Sequence, residues 1–495
     1  MQKFTAFEWP TAGQFLDRDA ELSRLEDWWA SDERAPVCLY GRRRAGKSWL
    51  FRRFAHGKPA VVLVARSTAP GVQLDDFAGR LESVLGVRPA LTGLEDLFRT
   101  LFRAARDQPL LAVIDEFPYL LPATEPDVRR ELTAIAAVME EERDTSQLRL
   151  VLCGSIVGQM ESLLAERSPL YGRLWPLKLD PVPFEQARLF LPGLSPVEQF
   201  ERFAIAGGMP LYLTALADAR PLVEVVCERM LDRTAALWDE GRAIVEQEMR
   251  EPKVYFGVLQ ALASGDKATG EIATVLHSDA QRASKYLAAL VEMRLVERKL
   301  PFGAEATSRT GHWHLRDPFL RFWFRFVFPY QDDLENGLPA VALYVQEIAP
   351  ALHDHVGPQF EDYARSWVRS HLPVTQVGSW WGPALHALRQ QGSPRSSEEI
   401  DIIGAARGRV TVVGEARWRN SAMEAGYLSD IESYKLPALR QSGLKIAAHP
   451  TIVLFSHGGY TDGLRATAQA RDDLILVNTD EALQGLSTHK ETTPE

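Results

Sequence analysis

The chain alternates short apolar runs with longer amphipathic stretches. Val37–Tyr40, Leu110–Ile114 and Leu148–Cys153 are apolar runs of strand length, the pattern of parallel strands buried on both faces. Helix-like segments follow them, so residues 1–183 predict an α/β core around a parallel sheet. Residues 184–247 are dominated by Ala, Leu and Glu, with Pro and Gly at the breaks, and predict a helical lid. The period then shortens. Val254–Ala263, Ala268–Leu276 and Ser278–Leu290 predict three helices, the last capped by Ser278 or Asp279. Leu295–Arg298 and Gly311–Leu315 flank a loop containing Pro and Gly, which completes the pattern of a winged helix-turn-helix. With the aromatic stretch Trp313–Tyr330 it makes a unit over 248–330. An acidic, Pro-containing segment predicts a linker over 331–350. Residues 351–485 predict a last α/β domain: a helix through Phe360–Val368, strands near 374–380, 399–403 and 409–418, a helix over 422–441 and a strand at 450–455. Residues 486–495 read as a tail.

Composition narrows this picture. A chain of 495 residues, 46% hydrophobic and 25% charged, is expected to divide into several soluble globular domains. The net charge of −10 argues against a protein that coats nucleic acid throughout, but leaves room for a local basic groove. Cys38, Cys153 and Cys227 are far apart, show no zinc spacing and suit a reducing cytoplasm. The N-terminus lacks the apolar run of a signal peptide. Trp313–Tyr330 is interrupted by Arg316, Asp317, Arg321 and Arg325, too charged and too short to span a bilayer. It reads as a helix wedged between domains, or alternatively as a platform for stacking nucleobases.

The sharpest motif is Gly41-Arg-Arg-Arg-Ala-Gly46-Lys47-Ser48, between the Val37–Tyr40 run and a helix opened by Trp49-Leu50-Phe51. This is the setting of a P-loop. Gly41, Ala45 and Gly46 shape a backbone whose N–H groups can face phosphate oxygens. The helix adds its positive end. Lys47 can reach the β- and γ-phosphates of ATP, and the Ser48 hydroxyl can ligate Mg²⁺. Trp49 belongs to the same nucleotide-binding segment. Arg42, Arg43 and Arg44 can touch nucleotide, face solvent or face DNA.

The run Leu110–Ile114 ends in Asp115-Glu116, where open α/β sheets bind ligands. Asp115 is assigned to Mg²⁺ and Glu116 to orienting and deprotonating the attacking water. Ser155, ending the next strand, is placed to sense the γ-phosphate or hold that water. Arg173, after the turn in Ser168-Pro-Leu-Tyr-Gly, is either an arginine finger, in cis or toward a neighbouring subunit, or a surface arginine.

In order, the chain carries Phe15-x-Asp17-Arg-x-x-Glu21-Leu, the P-loop, Ile114-Asp-Glu-Phe117, Cys153-Gly-Ser155, Ser168-Pro-Leu-Tyr-Gly-Arg173 and Gly207-Gly-Met-Pro210-x-Tyr212-Leu. This order resembles archaeal-type AAA+/STAND ATPases. The resemblance implies that Phe15–Glu21 lies beside the adenine and that Pro210 packs against nucleotide from the lid. It also allows a homo-oligomer.

In the winged helix, Gln281, Arg282, Ser284 and Lys285 have the chemistry of a major-groove helix. Residues 251–310 hold eight Lys/Arg against seven Asp/Glu, so DNA contact and a purely structural role both stay open.

In the C-terminal domain, Asp401 and Glu415-x-Arg417 fall on neighbouring predicted strands, behind a helix carrying Glu361. Two apposed carboxylates can hold a divalent cation, Mg²⁺ or Mn²⁺, with Glu361 as a further ligand. Arg417 shares the sheet face of Glu415 and can stabilise developing negative charge. The order resembles the PD-(D/E)XK nuclease fold and the domain of unknown function that follows archaeal-type ATPases. The resemblance implies catalytic roles for Asp401, Glu415 and Arg417, with Arg417 where the family has lysine. Arginine keeps the charge and cannot serve as a base, and Lys435 on the next helix is an alternative. The expected function is an ATPase coupled to nucleic-acid binding or metal-dependent DNA cleavage. The alternative is a STAND-type regulatory switch with a degenerate, binding-only nuclease fold.

Overall fold

A computed structural model describes residues 6–248, 252–308, 310–386 and 395–485. The expected tail, 486–495, lies outside the described residues. The chain divides into two compact units: residues 1–182 with 208–211, and residues 183–207 with 212–495.

The first unit is built on five parallel strands, β1 (Val37–Tyr40), β2 (Ala60–Val64), β3 (Leu110–Asp115), β4 (Leu148–Gly154) and β5 (Trp175–Lys178), in the order β2-β3-β4-β1-β5. The parallel P-loop NTPase sheet expected from the apolar runs is present. All residues of β1, β3 and β4 are buried, because helices cover both faces. Helix Leu94–Ala104 shows how. It buries Leu94, Leu97, Phe98, Leu101 and Phe102, an i, i+3, i+4 stripe, against Leu110, Ala112 and Ile114 of β3 and Leu150 and Leu152 of β4. The order 2-3-4-1-5 brings the C-terminal ends of β1, β3 and β4 together, and the loops leaving those three ends carry the candidate site.

The second unit opens on helices, among them Pro196–Ala206, started by a Ser195–Glu198 capping box. Helices Pro252–Ala263, Thr269–Val275 and Ala280–Glu292 precede an antiparallel ribbon of β6 (Val296–Lys299) and β7 (His312–Leu315). The aromatic stretch is interior. Phe319, Phe322, Trp323 and Phe324 are fully buried, and Trp323 Nε1 donates to the carbonyl of Trp238 at 2.8 Å. Each such side chain contributes about 2–3 kcal/mol through burial, and none of these four is presented for stacking a base. The segment expected as a linker is instead helical over Gln331–Glu335 and Ala340–Leu343, and runs on into helix Ala349–His371. Gly337 and Pro339 make only the turn near 336–339, and Pro350 lies in the first turn of helix Ala349–His371.

A second sheet follows: β8 (Gln376–Pro383), β9 (Ser397–Ala406), β10 (Arg409–Arg417), β11 (Ile446–Ser456) and β12 (Leu474–Asn478), in the order β12-β11-β10-β9-β8. β8, β9 and β10 pair antiparallel, whereas β10, β11 and β12 pair parallel. Helix Ala349–His371 lays Val356, Phe360, Ala364 and Val368 on one face of this sheet, against Ile402, Val412, Val453 and Phe455. The strand β12 and its flanking helices, Asp462–Gln469 and Thr479–Gln484, were not expected from the sequence.

Candidate functional site

The P-loop of the first unit leaves β1 at Gly41. A Cβ there would come within 2.3 Å of the Leu179 carbonyl, so the close approach of the chain after β5 requires glycine. Arg44 (φ +70°) and Gly46 (φ +92°) turn left-handed, which wraps the loop back onto the start of helix Lys47–Ala55. Lys47 is 6% exposed, and its Nζ donates to the carbonyls of Gly41 (2.9 Å) and Arg42 (3.1 Å). The ammonium is therefore held across the mouth of the loop. Arg43 is exposed, while Arg42 and Arg44 are half-buried. Trp49 points outward at 46% exposure and meets Trp9 edge-on, ring centroids 4.9 Å apart. Pro210 packs on the loop, its Cγ 3.7 Å from the position a Cβ would take on Gly46.

Two carboxylates close the site from β3. Asp115 Oδ2 accepts from Ser48 Oγ at 3.4 Å, and its Oδ1 accepts from the Glu116 N–H at 3.1 Å. Burial pushes the Asp115 carboxyl up, while the Cys153 thiol and the Lys47 charge oppose that shift. Glu116 adopts φ +54°, a conformation of 1–3 kcal/mol cost on the order of other left-handed non-glycine residues. Its Oε2 accepts from the Ser155 N–H (3.0 Å) and the Ser155 hydroxyl (2.8 Å). Ser155 thus aims Glu116. The donors reaching both acids are hydroxyl, thiol and backbone N–H groups, and the donor set Ser48 and Asp115 suits Mg²⁺, a hard cation that prefers oxygen ligands.

Arg18 is a part of this site that spacing did not reveal. It is buried, and its guanidinium joins Glu21 (3.0 Å), the carbonyl of Ala45 in the P-loop (3.2 Å) and the carbonyl of Asp180 (2.7 Å). Its signal in the sequence was its place inside the Phe15–Glu21 motif. Arg173 needs a correction. It precedes β5, whose first residue pairs with Val37 at the start of β1, so it sits at the end of the sheet opposite the P-loop and binds Glu140 at 2.6 Å. A finger acting in cis is excluded by that geometry.

Two family matches bear on these units. Residues 31–159 match the family described as "AAA domain". The chain carries an AAA domain. Residues 323–428 match a family described as archaeal and bacterial proteins of unknown function. A relative from Methanocaldococcus jannaschii, an uncharacterized protein, is 26% identical over 419 residues, 82% of this chain and 88% of its own length. Among solved structures, the Walker-type ATPase of Pyrococcus abyssi is similar at 19% identity, covering 63% of this chain and 97% of that one, with a TM-score of 0.46. The ORC2 protein of Aeropyrum pernix, in ADPNP-ADP complexes, is similar at 14% identity over 69% of this chain and all of that one (100%), with a TM-score of 0.45.

Outside the AAA domain, the second unit assembles the other predicted acids. Pairing of Ile402 with Gly414 makes Asp401 and Glu415 the next neighbours across β9 and β10. They are 4% and 1% exposed. Asp401 Oδ2 accepts from the Ala416 N–H (3.0 Å) and Arg417 Nη1 (2.6 Å). Glu415 Oε2 accepts from Arg417 Nη2 (2.5 Å), and its Oε1 from Lys435 Nζ (2.7 Å). Arg365, which was not expected at this site, donates to the Asp401 carbonyl at 2.7 Å and lies 3.8 Å from Glu361. Burial and the Asp401 charge push Glu361 up to about 8 and Glu415 to about 7. The acids expected to hold a metal already meet protein cations. No group of three or more His, Cys, Asp or Glu side chains is arranged to hold a metal ion among the described residues.

The helix Ala280–Glu292 leaves Gln281, Arg282, Ser284 and Lys285 exposed, its N-terminus capped by Asp279 on the Arg282 N–H at 2.7 Å. The loop after β6 is engaged within the same unit. The Phe302 N–H donates to the Ser379 carbonyl (2.7 Å), Trp381 Nε1 donates to the Thr310 carbonyl (2.9 Å), and His312 stacks on Trp381 at 5.2 Å. No helix is long and apolar enough to cross a membrane among the described residues.

Proposed function

We propose that the AAA domain binds and hydrolyses Mg²⁺-ATP and that this cycle is coupled to DNA binding by the second unit. The observation that carries the reading is the convergence of Ser48, Asp115, Glu116 and Ser155 behind a P-loop whose lysine spans its mouth. Lys47 trades its bonds to the Gly41 and Arg42 carbonyls for the β- and γ-phosphates. Ser48 and Asp115 hold Mg²⁺, which supplies charge neutralisation of the phosphates. Ser155 fixes one oxygen of Glu116, leaving Oε1 to hold the attacking water and take its proton. Pro210, packed on Gly46, is placed to sense nucleotide state in the loop. Arg173, remote from its own P-loop, retains a finger role only toward a second copy of the chain.

DNA is assigned to the exposed face of helix Ala280–Glu292, with Arg282 and Lys285 on phosphate or guanine. The loop after β6, read as a wing, meets β8 through Phe302 and Thr310. Arg417 between Asp401 and Glu415 favours the binding-only form of the C-terminal fold over a cleaving one. Measuring ATP turnover with and without duplex DNA over a salt series tests the proposal. DNA-stimulated turnover that fades steeply with salt is expected; turnover indifferent to DNA at every salt contradicts the coupling.

A further inference from the structure

We infer that the Arg417 guanidinium stands as a built-in cation in the place between Asp401 and Glu415 where a divalent ion would otherwise bind, so that the wild-type protein takes no metal there. The inference rests on contact geometry alone and holds whether or not the second unit binds DNA.

Arg417 puts one nitrogen on each acid, Nη1 at 2.6 Å from Asp401 Oδ2 and Nη2 at 2.5 Å from Glu415 Oε2. Asp401 and Glu415 are neighbours across β9 and β10, and an ion shared by these two oxygens would have to draw both in to about 2.1–2.5 Å. The planar fork occupies both instead. Its own position is fixed, because Nη1 also donates to the Ala416 carbonyl at 3.0 Å. The remaining Glu415 oxygen is taken by Lys435 at 2.7 Å, and the Ala416 N–H donates at 3.0 Å to the same Asp401 Oδ2 that Arg417 holds. The cations here are already committed to acids: Arg365 to Glu361 and Asp362, Arg417 to Asp401 and Glu415, and Lys435 to Glu415. A dication added to this set meets three cations already in place. A guanidinium stays charged at any working pH and cannot shed its proton to leave. Lysine at this position would present a single point charge and leave one acid unbridged. The substitution therefore exchanges an exchangeable ion for a permanent one. It keeps the buried acids paired, which an isolated carboxylate at this depth requires.

The test uses full-length, nucleotide-free protein and Mn²⁺ alone, followed by electron paramagnetic resonance of the free ion. Wild type and Asp401→Asn should bind Mn²⁺ equally, since the acid pair contributes no site. Arg417→Ser should gain one Mn²⁺ per chain over wild type, and the double variant Arg417→Ser/Asp401→Asn should lose it. Thermal melting gives the second reading: Mn²⁺ should raise the melting temperature of Arg417→Ser and leave wild type unmoved. Arg417→Gln, which removes the charge but keeps an aliphatic stem and one donating amide, carries the same test if the serine variant is poorly folded. Refolding of either variant by Mn²⁺ supports the inference, and failure of Mn²⁺ to rescue both counts against it. A wild-type Mn²⁺ site that Asp401→Asn removes would overturn it, as would folded Arg417 variants that gain no Mn²⁺.

Discussion

Each unit holds a pair of neighbouring carboxylates, consecutive at the end of β3 in one and side by side across β9 and β10 in the other, yet they treat them differently. In the AAA domain, Asp115 and Glu116 are held by Ser48, Ser155, Cys153 and backbone N–H groups. In the second unit, Asp401 and Glu415 are held by Arg417 and Lys435. Neutral donors fix the direction of an acid and leave its charge to act on something else. Cationic donors consume that charge within the fold. The same residue type at similar depth is thus poised for chemistry in one place and committed to architecture in the other.

Removing machinery from the poised site should have the largest effect. Lys47→Ala is expected to lower ATP turnover by at least about 100-fold through loss of phosphate charge stabilisation. Glu116→Gln should bind nucleotide normally and hydrolyse it about 100-fold or more slowly, since the amide keeps the bonds' shape and loses the base. Single-turnover assays beside equilibrium nucleotide binding separate the two. Wild-type turnover in Glu116→Gln would remove Glu116 from its role.

Matched neutral substitutions sharpen the comparison next. Asp115→Asn should cost under about 1 kcal/mol of stability, because burial already disfavours its charge, while stopping turnover. Asp401→Asn should show the reverse: turnover within about twofold and a stability loss of about 1–3 kcal/mol, because it strips one partner from Arg417. Urea unfolding read beside turnover gives both numbers. Equal stability losses in the two variants would erase the distinction.

Smaller effects follow for DNA. Arg282→Ala with Lys285→Ala should weaken duplex binding about tenfold and reduce the salt slope by about two, one for each phosphate contact. Unchanged affinity and slope in a salt titration would place the contact elsewhere.

The smallest effect concerns pH. His355 is fully buried, donates from Nε2 to the Ala204 carbonyl (3.0 Å), and faces Arg321 and Arg325. Burial and those cations hold its pKa well below the usual 6.5. The unfolded chain therefore binds a proton that the folded chain refuses. The stability from the neutral imidazole is complete above about 6.5 and is lost as pH falls, by at most about 1.4 kcal/mol per unit. His355→Gln should flatten that part of the melting profile between pH 7 and 5; an unchanged slope would assign it to other groups.

Reading the chain was easiest where structure is local. The P-loop and the strands before it are contiguous, and the apolar runs sufficed to foresee the parallel sheet. Arg18 was missed because its partners at Ala45 and Asp180 lie far along the chain. The sequence showed arginine where the resembling fold has lysine, but the bridging of two acids depends on the β9–β10 register, which no local pattern fixes. The engagement of the loop after β6 by Ser379 and Trp381 is hidden for the same reason. The cis, trans and surface roles of Arg173 stayed open because a turn and a cation say nothing of which end of the sheet they occupy.

The most direct measurement puts both sites in one tube: supercoiled plasmid, ATP, Mg²⁺ and Mn²⁺, with phosphate release and plasmid topology followed together. The account predicts sustained phosphate release, stimulated by the DNA, while the plasmid stays covalently closed. Nicked or linear plasmid that disappears with Asp401→Asn, or an absence of phosphate release from wild type, would contradict it.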